Sequence, residues 1–219
     1  MKYQAIIFDM DGTITDSEQL WDKATDAFLA NHAIVLSNEE KVQVYSQLQG
    51  ISLRNSTTYL KATFCLSESV DALMTELAAH AHALMSTEVR FIDSFLHFYD
   101  RLGSYNLKYA IATNADRLTL TAQKKALSLD SLFGEHIYNI DHVLHGKPKP
   151  DIYLHAAKKL NISPYACIAI EDSACGIESA KAANMFCIGI NSHGNPQQLA
   201  QADMIINSYK DIDLAELLY

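Results

Sequence analysis

Two pairs of acidic residues follow short apolar runs that have the length of β-strands. The pairs are Asp9 with Asp11 and Glu171 with Asp172. Side chains at alternate positions of an extended chain point the same way, so Asp9 and Asp11 share one side of the backbone. A divalent cation relieves the repulsion between carboxylates in a cleft, and hard oxygen ligands favour Mg²⁺. The alternatives are a solvated Asp-Gly turn for the first pair and a favourable helix start for the second.

Two further segments carry groups that can bind an anion. Thr113 and Asn114 follow another apolar run, and their hydroxyl, amide and backbone N–H groups can donate to phosphate oxygens. The alternative for these two residues is a plain helix N-cap. Lys147 lies in a Gly-Lys-Pro-Lys-Pro segment, whose prolines hold its ammonium in a rigid turn where it can neutralise a phosphate or nearby carboxylates. Lys149 of the same turn is expected to be solvated.

The elements that must position these groups alternate between strands and helices. Strand-length apolar runs occupy residues 5–8, 109–112, 167–170, 186–190 and 204–206. Stretches with helical periodicity occupy residues 116–126, 151–160 and 174–183. This alternation predicts an α/β fold, a Rossmann-like parallel sheet with helices on both faces. Ligands bind at the carboxyl edge of such sheets, so we expect the four chemical segments to converge there.

One long segment breaks this alternation, because residues 16–86 contain helical patterns and no convincing strand. Ser37, with a glutamate three residues later, is typical of a helix start, and residues 67–85 show the pattern of another helix. A structureless connection of this length is improbable in a compact domain. We therefore predict an all-helical cap domain at 16–86, inserted into an α/β core formed by 1–15 and 87–219.

Composition limits the classes of function. The chain has 219 residues, of which 49% are hydrophobic and 20% charged, and this composition supports a packed core rather than disorder. Seventeen basic and 26 acidic residues give a net charge of −9, which disfavours nucleic acid and anionic membranes as partners. The sequence shows no membrane-spanning run and no signal peptide, and its four cysteines lack metal or disulfide spacing. We expect a cytoplasmic protein that is a monomer or weak dimer.

Taken together and in this order, the four segments resemble the four motifs of the haloacid dehalogenase-like superfamily. The resemblance is to its phosphatases and phosphomutases that carry a helical cap after the first motif, and it covers essentially the whole chain. It implies that Asp9 is a nucleophile that forms an aspartyl-phosphate, and that Asp11 protonates the leaving oxygen and then activates water. It also implies that Thr113 and Lys147 hold the phosphoryl group.

The same resemblance implies a Mg²⁺ site. Asp172 would bind the ion together with the Asp9 carboxylate and the Asp11 backbone carbonyl, and Glu171 would support the site. The expected function is a Mg²⁺-dependent phosphatase acting on a small phosphate monoester, with a sugar phosphate as the favoured class. The alternatives are a sugar phosphomutase of the β-phosphoglucomutase type and a non-enzymatic sensor of a phosphorylated ligand.

Residues in the predicted cap bear on the choice between these activities. Trp21 stands where the related mutases have a histidine that assists their second transfer, which favours transfer to water; alternatively, Trp21 only packs the cap. Residues 48–54 resemble the substrate loop of these families. Within this stretch Gly50 permits close backbone approach, and Arg54 faces either the substrate or solvent.

Overall fold

The fold is built on six parallel strands in the order β3-β2-β1-β4-β5-β6. The structure, a computed structural model, describes residues 2–48, 50–192 and 194–219. The strands are β1 (Ala5–Phe8), β2 (Lys108–Ala112), β3 (Ile137–Tyr138), β4 (Cys167–Glu171), β5 (Phe186–Ile190) and β6 (Met204–Ile206). Five of them confirm the five apolar runs. The sequence does not predict β3, because two residues are too short to show an alternating pattern.

Helices cover both faces of the sheet, as predicted. In the α/β core they are α5 (Phe95–Leu102), α6 (Arg117–Leu127), α7 (Leu129–Phe133), α8 (Asp151–Leu160), α9 (Ala174–Ala182) and α10 (Leu214–Leu218). Alternate residues of β1 enter two separate hydrophobic clusters. Ile6 and Phe8 pack with Phe95 on one face, whereas Ile7 packs with Ile152 on the other. Because all five side chains are fully buried, the end of β1 is held from both sides.

The carboxyl ends of the three central strands lie at one level. Phe8, the last residue of β1, pairs with Ile111 of β2 and with Ile170 of β4. The next N–H, that of Asp9, donates to the Ile170 carbonyl at 2.9 Å. The direction in which the strand order progresses reverses between β1 and β4, and this reversal opens a crevice at the carboxyl edge.

Four further helices stand between β1 and α5 and are called the cap here. They are α1 (Glu18–Asn31), α2 (Asn38–Leu48), α3 (Leu53–Phe64) and α4 (Val70–Thr87). Buried side chains such as Phe28, Leu60 and Leu77 give the cap a hydrophobic cluster of its own, distinct from the two that enclose the sheet. The division into domains at residues 16 and 86 stays a prediction.

The segments that lead into and out of the cap run side by side. The Asp16 N–H donates to the Arg90 carbonyl at 2.9 Å, and the Ile92 N–H donates to the Ile14 carbonyl at 2.8 Å. Thr15 also forms an antiparallel bridge with Phe91. The cap is thus connected to the core through a short hydrogen-bonded pair of segments.

Local signals in the sequence mark several helix ends correctly. At the start of α2, the Glu40 N–H donates to Ser37 Oγ at 3.3 Å and the Ser37 N–H donates to the Glu40 carboxylate at 2.8 Å. The helix predicted from residue 67 begins later, at Val70, because the Ser69 side chain caps it.

No helix in the described part of the chain is long and apolar enough to cross a bilayer.

Candidate active site

The crevice at the carboxyl edge contains a buried ion pair between Asp9 and Lys147. Asp9 follows β1 directly and is 7% exposed, and Lys147 Nζ lies 2.5 Å from its Oδ1. Burial lowers the pKa of Lys147, but the negative charges of Asp9 and Glu171 outweigh it, so the pKa lies above its usual value. The lysine therefore stays charged and holds the Asp9 carboxylate in one place.

Lys147 is positioned by Asn114 rather than by a preceding strand. Unlike the other three chemical segments, it does not directly follow a strand, because eight residues, 139–146, lie between the end of β3 and Lys147. The Lys147 N–H donates to Asn114 Oδ1 at 2.9 Å, and Asn114 Nδ2 donates to the Lys147 carbonyl at 3.3 Å. These two bonds tie the lysine backbone to the segment that follows β2.

Glu171 is the second acidic partner of Lys147. Its side chain is fully buried, and Oε1 lies 2.6 Å from both Lys147 Nζ and the Tyr153 hydroxyl. Burial raises the pKa of Glu171 to about 7, while the Lys147 charge opposes the rise. Tyr153 also places its ring 5.0 Å from the same ammonium. No motif in the sequence points to Tyr153, because its helix α8 is otherwise an ordinary amphipathic helix.

The Glu171 carboxyl packs against Gly176, in the first turn of α9, at a position where a side chain would not fit. A Cβ at this position would lie 2.0 Å from the carboxyl atoms. A glycine inside a helix destabilises it relative to alanine, so its presence there is a sequence signal of close approach.

Replacing Gly176 by alanine is expected to destabilise the protein by about 2–3 kcal/mol, because the buried carboxyl must move and strain its contacts. Gly103→Ala is the matched control, since its nearest atom would be 3.4 Å away. Chemical unfolding of both variants measures the difference. Equal stability would show that the Glu171 carboxyl moves freely.

Asp172 completes a cluster of three carboxylates. Asp9, Glu171 and Asp172 each offer an oxygen within 4.8 Å of the others. Burial raises the pKa of Asp172 well above its usual value, and the charges of Asp9 and Glu171 raise it further. Three carboxylates beside one ammonium leave two negative charges uncompensated when all are ionised. Such a set of hard oxygen donors could hold a divalent metal ion.

Asp11 lines the same cavity as Asp9 but has different partners. Its Oδ1 accepts hydrogen bonds from Ser17 Oγ at 2.6 Å and from Gln123 Nε2 at 2.8 Å. Burial raises the pKa of Asp11, and these two hydrogen bonds lower it in part. Gln123 comes from α6, far along the chain, and no motif in the sequence marks it.

Thr113 and Asn114 occupy the end of β2 as predicted, but neither caps α6. The N-cap is Asp116, whose side chain accepts from two N–H groups of the first turn. Thr113 is 1% exposed, and its hydroxyl accepts the N–H of Ala115 at 3.0 Å. Both residues line the cavity. The Asn114 amide is engaged with Lys147, so its contact with phosphate stays a prediction.

Two residues of the cap behave differently from each other. Trp21 lines the cavity, and a hydrogen bond from its side chain contributes to lowering the pKa of Asp11. Arg54 does not line the cavity; its exposed guanidinium lies 2.7 Å from Asp71 on the outside of the cap. Of the two orientations considered for Arg54, the structure shows the solvent-facing one, because α4 offers it an acidic partner there.

The loop before α3 brings the cap against the core. Gly50 has a φ of +70°, and a Cβ there would lie 2.5 Å from Ser173 Oγ, so the loop backbone passes close to the start of α9. Asn114 Nδ2 donates to the Gly50 carbonyl at 3.2 Å. Gln49 of the same loop lies outside the described residues. Asn114 thus connects the cap loop with the Lys147 turn.

The cavity between cap and core is strongly acidic. Six of the described residues that line it carry carboxylates, and none is a lysine or arginine; the acids are Asp9, Asp11, Glu18, Asp22, Asp116 and Asp172. Apolar side chains, among them Trp21 and Leu77, form part of the wall on the cap side. Such a cavity combines an aromatic and apolar surface with hydrogen-bond acceptors.

A parallel α/β sheet with an acidic site at its switch point, covered by a helical insertion, defines a class of hydrolases. The family model of the haloacid dehalogenase-like hydrolases matches residues 3–184. The chain belongs to the haloacid dehalogenase-like hydrolases, as the sequence motifs predicted.

Individual relatives agree with this assignment. The chain is 29% identical over 196 residues to fructose-1-phosphate phosphatase YqaB of Escherichia coli (strain K12), covering 86% of this chain and 97% of that protein. It is 28% identical over 223 residues to β-phosphoglucomutase of Bacillus subtilis (strain 168), covering 99% and 94%. The crystal structure of a hydrolase from Pseudomonas syringae matches with a TM-score of 0.83 at 27% identity, covering 98% of this chain and 97% of that one.

Proposed function

We propose that the protein is a Mg²⁺-dependent phosphatase that hydrolyses a small phosphate monoester, with sugar phosphates as the substrate class. One observation carries the proposal. Lys147 holds the Asp9 carboxylate at the carboxyl edge of the sheet. Asp11 lines the same cavity as Asp9, but its carboxylate is held by other residues. Relatives that are phosphatases, such as fructose-1-phosphate phosphatase YqaB, support the choice of reaction.

In this mechanism one acid–base residue serves two half-reactions. An oxygen of Asp9 attacks phosphorus, the bond from phosphorus to the ester oxygen breaks, and Asp11 gives its proton to that oxygen. Asp11 then takes a proton from water, whose oxygen attacks phosphorus, and the aspartyl-phosphate bond breaks to release inorganic phosphate and Asp9. General acid–base catalysis of this kind contributes about 10²–10⁴-fold to the rate.

The remaining residues bind and orient the phosphoryl group. Lys147 places a positive charge beside Asp9, and the Thr113 hydroxyl and the Asn114 N–H can donate to the phosphoryl oxygens. Mg²⁺ would be held by Asp9, Asp172 and the Asp11 carbonyl. When bound, the ion reduces the repulsion between a carboxylate and a phosphate dianion. Glu171 accepts hydrogen bonds from Lys147 and Tyr153 and in this way supports the site.

A panel of sugar and nucleotide monophosphates tests this function. We expect release of inorganic phosphate with Mg²⁺ present, loss of activity in EDTA, and recovery when Mg²⁺ is restored in excess. Hydrolysis that is insensitive to EDTA would contradict the metal requirement. A purified and folded protein that releases no phosphate from any member of the panel would contradict the function.

The competing candidate is a sugar phosphomutase. Its reaction passes through a bisphosphate, and the second phosphate needs positive charge on the far side of the cavity. The described residues that line the cavity include no lysine or arginine. The resemblance also places Trp21 where the mutases have their histidine. A mutase would require a bisphosphorylated activator and convert one sugar monophosphate into another with little phosphate release. We expect neither behaviour.

The two cap residues should differ in their effect on substrate binding. Trp21→Leu is expected to raise KM for a sugar phosphate by about tenfold, because an aromatic contact in the cavity contributes about 1–1.5 kcal/mol. Arg54→Ala is expected to change KM by less than about twofold, because exposed ion pairs on the outer surface contribute little. Steady-state kinetics of both variants measure these two changes in KM. A larger effect from Arg54→Ala would mean that Arg54 turns towards the substrate.

A further inference from the structure

We infer that Gln123 is a positioning residue for Asp11: together with Ser17 it fixes one carboxylate oxygen and leaves the other for the substrate. The inference rests on the proposed function, because it assigns the orientation of the proposed acid–base group. It concerns a residue of α6 that belongs to none of the four motifs.

The geometry places both donors on a single oxygen. Gln123 Nε2 lies 2.8 Å from Asp11 Oδ1, and Ser17 Oγ lies 2.6 Å from the same atom. Gln123 and Ser17 are both fully buried, so water does not compete with either donor. Since Oδ1 accepts both bonds, we assign proton exchange with the ester oxygen and with water to Oδ2; the Trp21 side chain, which also hydrogen-bonds this carboxyl from the cap, contributes neither of the two bonds. The two donors reach Asp11 from different elements, which fixes the plane of the carboxylate as well as its position.

If Gln123 only packed in the core, its buried amide would lower the stability of the protein. Its Oε1 is buried and has no hydrogen-bond partner among the described residues. A buried polar atom without a partner lowers stability, and an unbranched apolar side chain of the same length would avoid that loss. Its neighbours in α6, Leu120 and Ala122, are buried and apolar. The amide is therefore better explained by its bond to Asp11 than by packing.

Gln123→Met keeps the length of the side chain and removes the donor. The readout is kcat/KM for an alkyl sugar phosphate and for p-nitrophenyl phosphate, because kcat/KM reports the step in which the leaving group departs. An alkoxide needs a proton from Asp11, whereas p-nitrophenolate leaves without one. We expect a loss of about tenfold or more on the sugar phosphate and less than about threefold on the aryl phosphate. In the Asp11→Asn background, Gln123→Met should cause no further loss.

Leu120→Ala is the control for a structural effect of the same helix. Leu120 packs in the core and has no group that can donate to Asp11, so its loss should lower Tm and leave the ratio of the two substrates unchanged. Equal losses on both substrates with Gln123→Met, or the same loss in the Asp11→Asn background, would overturn the inference and leave the proposed function standing. A wild-type protein that hydrolyses neither substrate would overturn both.

Discussion

Asp9→Asn is expected to reduce phosphate release by at least about 10⁴-fold while the protein stays folded. The amide removes the attacking oxygen without changing the shape of the side chain. Lys147 keeps its second partner, Glu171, at 2.6 Å, so the buried ammonium is not left without a counter-charge. Activity should therefore collapse while Tm changes by only a few degrees.

Two measurements separate this result from a general loss of structure. Phosphate release with the sugar phosphate gives the rate, and rapid acid quench of the wild type with labelled substrate detects the acid-stable but alkali-labile aspartyl-phosphate. The variant should form none. Asp100→Asn, an exposed aspartate of α5, is the matched control and should retain wild-type activity. Near-native turnover by Asp9→Asn would show that the nucleophile lies elsewhere.

Much of the core could be predicted because its signals are local. Strands buried on both faces appear as apolar runs, and β1 and β5 occupy the predicted residues. Helix ends follow from single residues such as Ser37, whose hydroxyl accepts the Glu40 N–H at the start of α2. The four motifs could be placed together because the carboxyl edge of a parallel sheet is one location.

What the sequence did not reveal depends on contacts between distant segments. Gln123 and Tyr153 are unremarkable in their own helices, and each acquires its role only through an acid from another part of the chain. Arg54 illustrates the converse case. Its residue type suits a phosphate ligand, but a neighbouring helix supplies Asp71 as a surface partner. Residue type and local pattern do not determine which way a long exposed side chain turns.

Lys147→Met is expected to affect both stability and catalysis. The substitution leaves Asp9 and Glu171 buried beside Asp172 without their shared counter-charge. Breaking a buried ion pair in this way costs about 3–5 kcal/mol, which for a chain of this size lowers Tm by roughly 10 °C. Phosphate release should fall as well, since the ammonium no longer stands beside the nucleophile. Thermal unfolding without divalent ions, together with the phosphatase assay, measures the two effects.

Lys149→Met provides the matched control, because Lys149 lies in the same turn and is exposed. Its loss should change stability by less than about 0.5 kcal/mol. Mg²⁺ should restore part of the lost Tm in Lys147→Met, because a cation bound by the carboxylates relieves the same repulsion that the lysine relieved. In Lys149→Met the ion should raise Tm no more than in the wild type. If the two lysine variants unfolded at the same temperature, Lys147 would not be the counter-charge of these carboxylates, and the orientation of Asp9 would need another cause.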